Sequence, residues 1–304
     1  MYYIRTMKKI FLFSILFPFT FLNAQTIPCV KIVEPTFSVS AKQKLEEQLA
    51  IAKEQFEKNK IKADAIIWYG RRLAYVGKYT EAIDVFSEGI QQHPTDVRFL
   101  RHRAHRYLTI RCFDKAIIDL EKATALIKDK TDEVEQDGIP NAKNIPTSTL
   151  QSNIWYHLGL AYYVMGQFVK AEEAYKECLK VSKKPDMYVA TVYWLNLTYL
   201  QEKKLEESKS ILKTIHGDLE LIENFEYLNM LLLFKGEREI SFVESEMKTT
   251  TNTLTNATAG YGLAMFYYFN QNKKNAKKWL KEITKSNQWS SFGFIAAEVE
   301  LKRL

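Results

Sequence analysis

Apolar residues along this chain recur with the spacing of amphipathic helices, and the helical segments come in pairs. Three phrases show the pairing: GKYTEAIDVF at 77–86, RCFDKAIIDL at 111–120 and GQFVKAEEAY at 166–175. Each phrase holds a turn, an aromatic residue, an alanine and then a helical apolar pattern. Ala116 follows Ala82 after one period, and Ala171 follows Ala116 after a second period lengthened by an insertion. A fixed period of about 34 residues predicts an all-α fold of stacked helical hairpins.

The clearest unit carries large and small residues at fixed positions of two consecutive helices. These residues are Trp155, Leu158, Gly159, Tyr162, Ala171 and Tyr175. The pattern resembles the tetratricopeptide repeat family. The resemblance implies a right-handed superhelical solenoid of about six hairpins, in which the first helix of each hairpin lines a concave groove. The resemblance also implies a protein that mediates contacts with other proteins. The repeat pattern extends over most of the chain after the leader.

The repeat frame divides the chain into seven segments. They are a signal peptide (1–24), an extended segment (25–39), a capping helix (40–60), repeats 1–2 (63–130), an inserted loop (131–151), repeats 3–6 (152–290) and a C-terminal capping helix (291–304). Solenoids need such capping helices because their terminal repeats expose apolar faces.

The N-terminus has the pattern of a secretory leader, with basic residues before an apolar run at 10–22. We expect cleavage after Ala24, export to the periplasm or cell envelope, and no membrane span in the mature chain; Met7 is an alternative start. An uncleaved anchor is the other interpretation, whereas Pro28 disfavours lipid attachment at Cys29. Three cysteines and no CxxC motif indicate no disulfide framework.

Charge and motifs restrict the function. The formal net charge of +7 falls to +4 without the three leader cations, and no nucleic-acid motif accompanies it. HExxH, GxSxG and P-loop motifs are absent from the sequence, which predicts a protein that is not an enzyme and needs no cofactor.

A basic helical face is the first candidate site. Arg98, Arg101, His102 and His105 follow the spacing i, i+3, i+4 and i+7. Arg71 precedes His105 by one period, and His157 follows His102 by one period plus the insertion, so both occupy equivalent positions on neighbouring repeats. The set predicts an anion-binding patch, because guanidinium groups grip carboxylates and phosphates. A solvated basic face is the plain alternative. A histidine metal site is disfavoured because the arginines repel cations.

Aromatic residues extend the candidate groove. The groove-side positions of the later repeats are aromatic: Tyr156, Tyr163, Tyr193 and Trp194. Aromatic residues at helical spacing more often pack in a core, so these four contribute to a groove only if some of them are exposed. With the basic face, they predict a scaffold that binds a protein or peptide bearing an anionic group along the groove. The alternative function is a receptor for a small acidic ligand or a glycan. The partner's identity and the oligomeric state stay open.

The insertion at 131–151 is the second feature. Its turn residues predict a loop that is more mobile than the helices and is tied at its C-terminal end by Pro146 and a capping box of Ser148 and Gln151. Such a loop is either functional or a tolerated surface excursion that can be deleted at little cost in stability.

Overall fold

The computed structural model describes residues 29–139, 141–249 and 253–304. The predicted signal peptide (1–24) lies outside these residues. The helices are α1 (Val39–Lys58), α2 (Ala63–Tyr75), α3 (Tyr79–Gln92), α4 (Val97–Thr109), α5 (Phe113–Ile127), α6 (Leu150–Val164), α7 (Phe168–Val181), α8 (Pro185–Gln201), α9 (Leu205–Leu212), α10 (Phe225–Lys235), α11 (Ile240–Thr249), α12 (Thr253–Phe269), α13 (Lys273–Thr284) and α14 (Phe292–Arg303). The predicted all-α solenoid of about six hairpins is confirmed.

Each hairpin turns through a residue with positive φ, which ends its first helix and reverses the chain. Glycine fills this position at Gly77, Gly166 and Gly236. Arg111, Lys203 and Gln271 fill it in the other three hairpins, with φ near +60°. The sequence period is therefore the spacing of these reversals.

Close helix contact within a hairpin depends on small residues, as Gly159 illustrates. A β-carbon at Gly159 would lie 2.5 Å from Cε1 of Tyr175 on the next helix. Ala171 and Tyr175 are fully buried in the same interface. The small residues of the repeat pattern therefore let α6 and α7 approach closely, as predicted.

The C-terminal helix does more than cap the last repeat. α14 packs on α12 and α13 and also contacts α6, far back along the solenoid. Arg303 Nη2 donates to Val164 O over 2.7 Å, and Arg111 Nε donates to Glu298 Oε2 over 2.8 Å. The interior of the superhelix is therefore occupied by the chain's own C-terminus.

The N-terminal segment joins the two ends of the solenoid. Thr36 Oγ1 accepts a hydrogen bond from Asn287 Nδ2 over 3.4 Å. Cys29 forms a disulfide with Cys112, in the turn between α4 and α5, while Cys178 is a free, buried thiol. The expectation of no disulfide framework is wrong. The two cysteines are 83 residues apart in sequence, so only the return of the N-terminal segment reveals the pairing.

The insertion contacts the rest of the fold at several points. Its ends pair through an isolated antiparallel bridge between Val134 and Thr149. Thr149 and Ser152 form the capping box of α6, one residue later than predicted. Gly138 packs so closely on Tyr75 that a β-carbon would overlap the phenol oxygen. Within the described residues, no helix combines the length and the apolar character that a bilayer crossing demands.

Candidate functional site

The concave side of the first three hairpins carries a polar cavity of about 320 Å³. Side chains from α2, α4 and α6 form one wall, the insertion covers it, and Phe292 of α14 closes another side. Because the first helices of successive hairpins face the same side, the repeat register places Arg71 and His105 in this one cavity. The predicted cluster of Arg71, Arg101, His102, His105 and His157 is therefore brought together.

Arg98 does not belong to this cluster. It lies at the first turn of α4, where its Nη2 pairs with Asp96 over 2.6 Å and its Nη1 pairs with Asp64 over 2.8 Å. Asp96 also caps the helix by accepting from the backbone N–H of Arg98. The side chain thus turns toward the capping acid and away from the concave face.

The predicted aromatic groove is part of the core. Tyr156, Tyr163, Tyr193 and Trp194 are at most 6% exposed. Trp194 Nε1 donates to Tyr156 Oη over 2.8 Å, and the Tyr163 and Tyr261 hydroxyls lie 2.9 Å apart. Of the four, only Tyr156 borders the polar cavity. These rings stabilise the closed interior instead of presenting a surface for a peptide.

Arg101 has an internal counter-ion that the sequence analysis missed. Its Nε lies 3.0 Å from Glu135 Oε2, and both side chains are about 90% buried, with exposures of 10% and 11%. Glu135 comes from the insertion, whose acidic stretch TDEVEQD was the available sequence signal for a basic partner. Arg101 is therefore already paired within the fold.

The histidines around Arg101 are neutral. Burial, followed by the charge of Arg101, holds the pKa of His102 and His157 well below the usual range, and burial with Arg106 does the same for the pKa of His105. The His102 Nδ1 lies 3.0 Å from Arg101 Nη1, and the rings of His105 and His157 lie 4.5 Å apart. Neutral imidazoles tolerate the buried guanidinium because they accept its hydrogen bonds.

Two arginines in the cavity have no ion-pair partner among the described residues. Arg71 Nη2 donates to the backbone oxygen of Gln136 over 2.7 Å and its guanidinium stacks on Trp68 at 4.4 Å. Arg106, which the sequence analysis did not select, lies 5.9 Å from the Tyr79 ring. Burial lowers the pKa of Arg106 to about 10, so it stays charged at neutral pH.

Three carboxylates of the described residues also line the cavity, but none lies within ion-pair distance of these two arginines, although the charge of Arg71 acts on Asp137 and lowers its pKa. Glu135 pairs with Arg101, and Glu223 Oε1 accepts from the Thr147 hydroxyl over 2.6 Å. Burial, and then the charge of Glu223, raises the pKa of Asp137. Within the described chain, neither Arg71 nor Arg106 forms an ion pair with a carboxylate, so both are available to an anion.

A second cavity, of about 670 Å³, shares part of this lining. Tyr75, His105, Arg106 and Phe292 border both spaces, and Pro35 of the N-terminal segment borders the second. Arg106 therefore borders both cavities. The first is covered by the insertion, and the second lies beside the N-terminal segment and the start of α14.

The described residues offer little for metal or nucleophilic chemistry. No group of three or more His, Cys, Asp or Glu in this part of the chain is placed to hold a metal ion. Burial raises the pKa of the Cys178 thiol to about 11, and the thiol lies 3.2 Å from the Thr191 hydroxyl. A buried thiol of this kind is unreactive because its thiolate is hardly populated at neutral pH.

Comparisons with known proteins agree on the repeat. A family model described as "Tetratricopeptide repeat" matches residues 152–185. Human tetratricopeptide repeat protein 12 is 26% identical over 145 residues, which are 48% of this chain and 17% of that protein. The chain therefore spans only about a sixth of that relative.

Two solved structures show a similar fold. A tetratricopeptide repeat protein from Parabacteroides merdae superimposes with a TM-score of 0.53 at 17% identity, covering 86% of this chain and 93% of that one. The Cut9–Hcn1 hetero-tetramer of the APC/C gives a TM-score of 0.50 at 16% identity, covering 86% of this chain and 46% of the matched chain. At these identities the likeness is one of fold.

Proposed function

We propose, from the premise that this chain belongs to the tetratricopeptide repeat family, that it is a non-catalytic interaction scaffold that binds an anionic group of a partner protein or peptide. The observation that carries the proposal is the pair of guanidinium groups, Arg71 and Arg106, that line one cavity without a carboxylate partner in the described chain. Guanidinium groups bind carboxylates and phosphates through two parallel hydrogen bonds, and partial desolvation strengthens such pairs.

The mode of binding follows from what already occupies the interior. α14 and the buried aromatic residues occupy the concave side beyond the polar cavity, so an extended peptide along the whole groove has no room. The partner instead inserts a short acidic element, such as a chain end or one acidic side chain, into the space beside Arg106. Its remaining contacts lie on the outer surface.

The proposed place of action is the cell envelope, reached through the N-terminal leader. The Cys29–Cys112 disulfide supports this, because disulfides persist in oxidising compartments and are rare in the cytosol.

The test is capture of partners from an extract of exported proteins, with wild type beside Arg106→Gln and the double variant Arg71→Gln/Arg106→Gln. Loss of one buried charge contact should weaken capture by roughly 30-fold or more. The matched control is Lys122→Gln, which removes one exposed charge outside the cavity lining. Thermal melting should show no large loss of stability in Arg106→Gln, since its charge has no carboxylate partner in the described fold. Undiminished capture by the double variant would refute the proposal.

A small acidic ligand is the second candidate, and the cavity volume favours it. About 320 Å³ lies within the range of small-molecule sites, roughly 300 to 1,000 Å³. A thermal-shift screen of small carboxylates and sugar phosphates should then show stabilisation of wild type that Arg106→Gln loses. No shift with any acid, combined with Arg106-dependent capture of a protein, would favour the scaffold instead.

A further inference from the structure

The outer surface of α13 carries a dense cluster of positive charge. Lys273, Lys274, Lys277, Lys278 and Lys281 are all exposed, and no acidic residue interrupts the segment that they span. Within the described part of the molecule, none of the five has a carboxylate within ion-pair distance. We call these five residues the α13 lysine face.

Other helices neutralise many of their surface lysines locally. Lys58 pairs with Glu54 over 2.6 Å, and Lys209 pairs with Glu206 over 2.8 Å. On α13 the first acid is Glu282, and it pairs with Lys285, outside the lysine face, over 3.4 Å. The face thus keeps its full charge.

The lysine face is held in a fixed orientation. Ala276, Leu280 and Ile283, on the opposite side of α13, are buried in the last hairpin. With a helical rise of about 1.5 Å and about 100° per residue, the five lysines cover a strip about 12 Å long and about 140° wide. A strip of this width presents several ammonium groups to a flat surface at the same time.

We propose that the α13 lysine face binds the protein to the surface of an anionic lipid bilayer. The chemistry of the side chains selects this partner. Lysine is a flexible point charge without the planar fork of arginine, and therefore suits a diffuse layer of phosphates better than one defined anion.

Nucleic acid and membrane insertion fit this helix less well. α13 contains no arginine, and its aromatic residue, Trp279, packs partly against the core, so the face offers no row of rings for base stacking. The apolar side of α13 is buried in the last hairpin. The helix therefore adsorbs by charge and does not insert.

The inference is independent of the polar cavity and of its ligand. Each lysine near an anionic bilayer strengthens adsorption about fivefold, so three substitutions should reduce partitioning roughly 100-fold. Adsorption should also weaken as salt rises, because exposed charges are screened over about 8–10 Å.

Vesicle co-sedimentation tests the proposal on the disulfide-bonded protein. The vesicles are phosphatidylcholine with phosphatidylglycerol as about one third of the lipid, beside vesicles of phosphatidylcholine alone. Wild type should bind the anionic vesicles only, and Lys274→Gln/Lys277→Gln/Lys278→Gln should lose that binding. The control Lys122→Gln/Lys128→Gln/Lys130→Gln removes the same charge from exposed positions on and after α5 and should still bind.

Circular dichroism and melting should show both triple variants folded, since all six positions are exposed. Three results would overturn the proposal: equal vesicle binding by the α13 variant, equal binding to uncharged vesicles, or stronger α13-dependent binding of duplex DNA or polyglutamate than of anionic vesicles at the same salt. The last would assign the face to a nucleic acid or an acidic protein.

Discussion

At the scale of single residues, the interior depends on one buried guanidinium and the groups that accommodate it. Arg101 meets Glu135 on one side and the His102 and His105 nitrogens on the other, at 3.0 and 3.5 Å. Burial alone would expel such a charge, and it lowers the pKa of Arg101. Glu135 therefore has a structural role: it fixes the insertion over the cavity by pairing with a charge that is about 90% buried.

We predict that Glu135→Gln destabilises the protein by about 3 kcal/mol, because removing one member of a buried pair leaves the other uncompensated. Replacing both members, in Arg101→Met/Glu135→Leu, should recover most of that loss. Urea unfolding measures both variants. If Glu135→Gln unfolds at the wild-type urea concentration, the pair is a surface contact and the insertion is held by other means.

By the same reasoning, Arg101→Glu should impair folding and not merely binding.

Acid should destabilise the protein through the histidine cluster. The folded-state pKa of His102, His105 and His157 lies below the ordinary value of 6.5, so below about pH 6.5 the unfolded chain binds more protons. Stability is therefore complete above that pH and falls as the pH drops further, by up to about 1.4 kcal/mol per pH unit for each histidine.

Urea unfolding between about pH 7 and about pH 5 checks this dependence. His105→Gln should flatten the slope by one histidine's share. A slope that His105→Gln leaves unchanged would mean that His105 can be protonated in the folded protein.

At the scale of elements, the hairpin reversals explain why the period was visible in the sequence. Gly77 and Gly166 mark two of them, and Gly is the residue that adopts positive φ without steric cost. Where Lys203 takes the same conformation, the sequence carries no local sign, and only the flanking helical pattern locates the turn. The fold was predictable because each hairpin repeats the same sequence pattern. The boundaries of a hairpin with a weak pattern can therefore be located by counting the fixed period from a hairpin with a clear one.

Lys203→Gly should stabilise the protein by about 1 kcal/mol, since a side chain at positive φ costs that much and glycine relieves it. Lys213→Gly, at the end of α9 with φ −61° and ψ −25°, is the matched control and should destabilise by about 0.5–1 kcal/mol. Melting curves of the two variants should therefore shift in opposite directions. A loss of stability in both would show that the Lys203 side chain makes a contact worth more than the backbone strain.

Part of the candidate site followed from the helical period, and part did not. The period placed Arg71, His105 and His157 together because equivalent positions of stacked hairpins face one side. It failed for Arg98, since a helix end offers a capping acid that competes for the guanidinium. It also missed Glu135, because an insertion has no repeat position from which its direction can be inferred. Arg106 was missed because the selected face was narrower than the cavity.

At the scale of the whole molecule, contacts between the first and last hairpins close the solenoid. α14 occupies the interior, and the N-terminal segment crosses from the first hairpins to the last. Tyr79 of the first hairpin and Trp289, which follows the last hairpin, lie 6.0 Å apart between ring centres. Their contact brings the two ends of the solenoid together beside the second cavity, whose lining includes Pro35 and Ser291. Closure thus shapes the space into which a ligand of Arg106 would extend.

The disulfide should contribute measurably to this closure. Cys29–Cys112 joins residues 83 apart, and a crosslink over so long a loop restricts the unfolded chain strongly. We predict that Cys29→Ser lowers the free energy of unfolding by about 2–4 kcal/mol. Cys112→Ser and the double variant should each lose nearly the same amount, because all three break one bond; an additive loss would show that the thiols act separately. Hydrogen exchange should rise in residues 31–38 of Cys29→Ser while the core of α8 stays protected. Unchanged exchange there would mean that the packing of Pro35 on Gly77 and the Thr36–Asn287 hydrogen bond hold the segment without the disulfide.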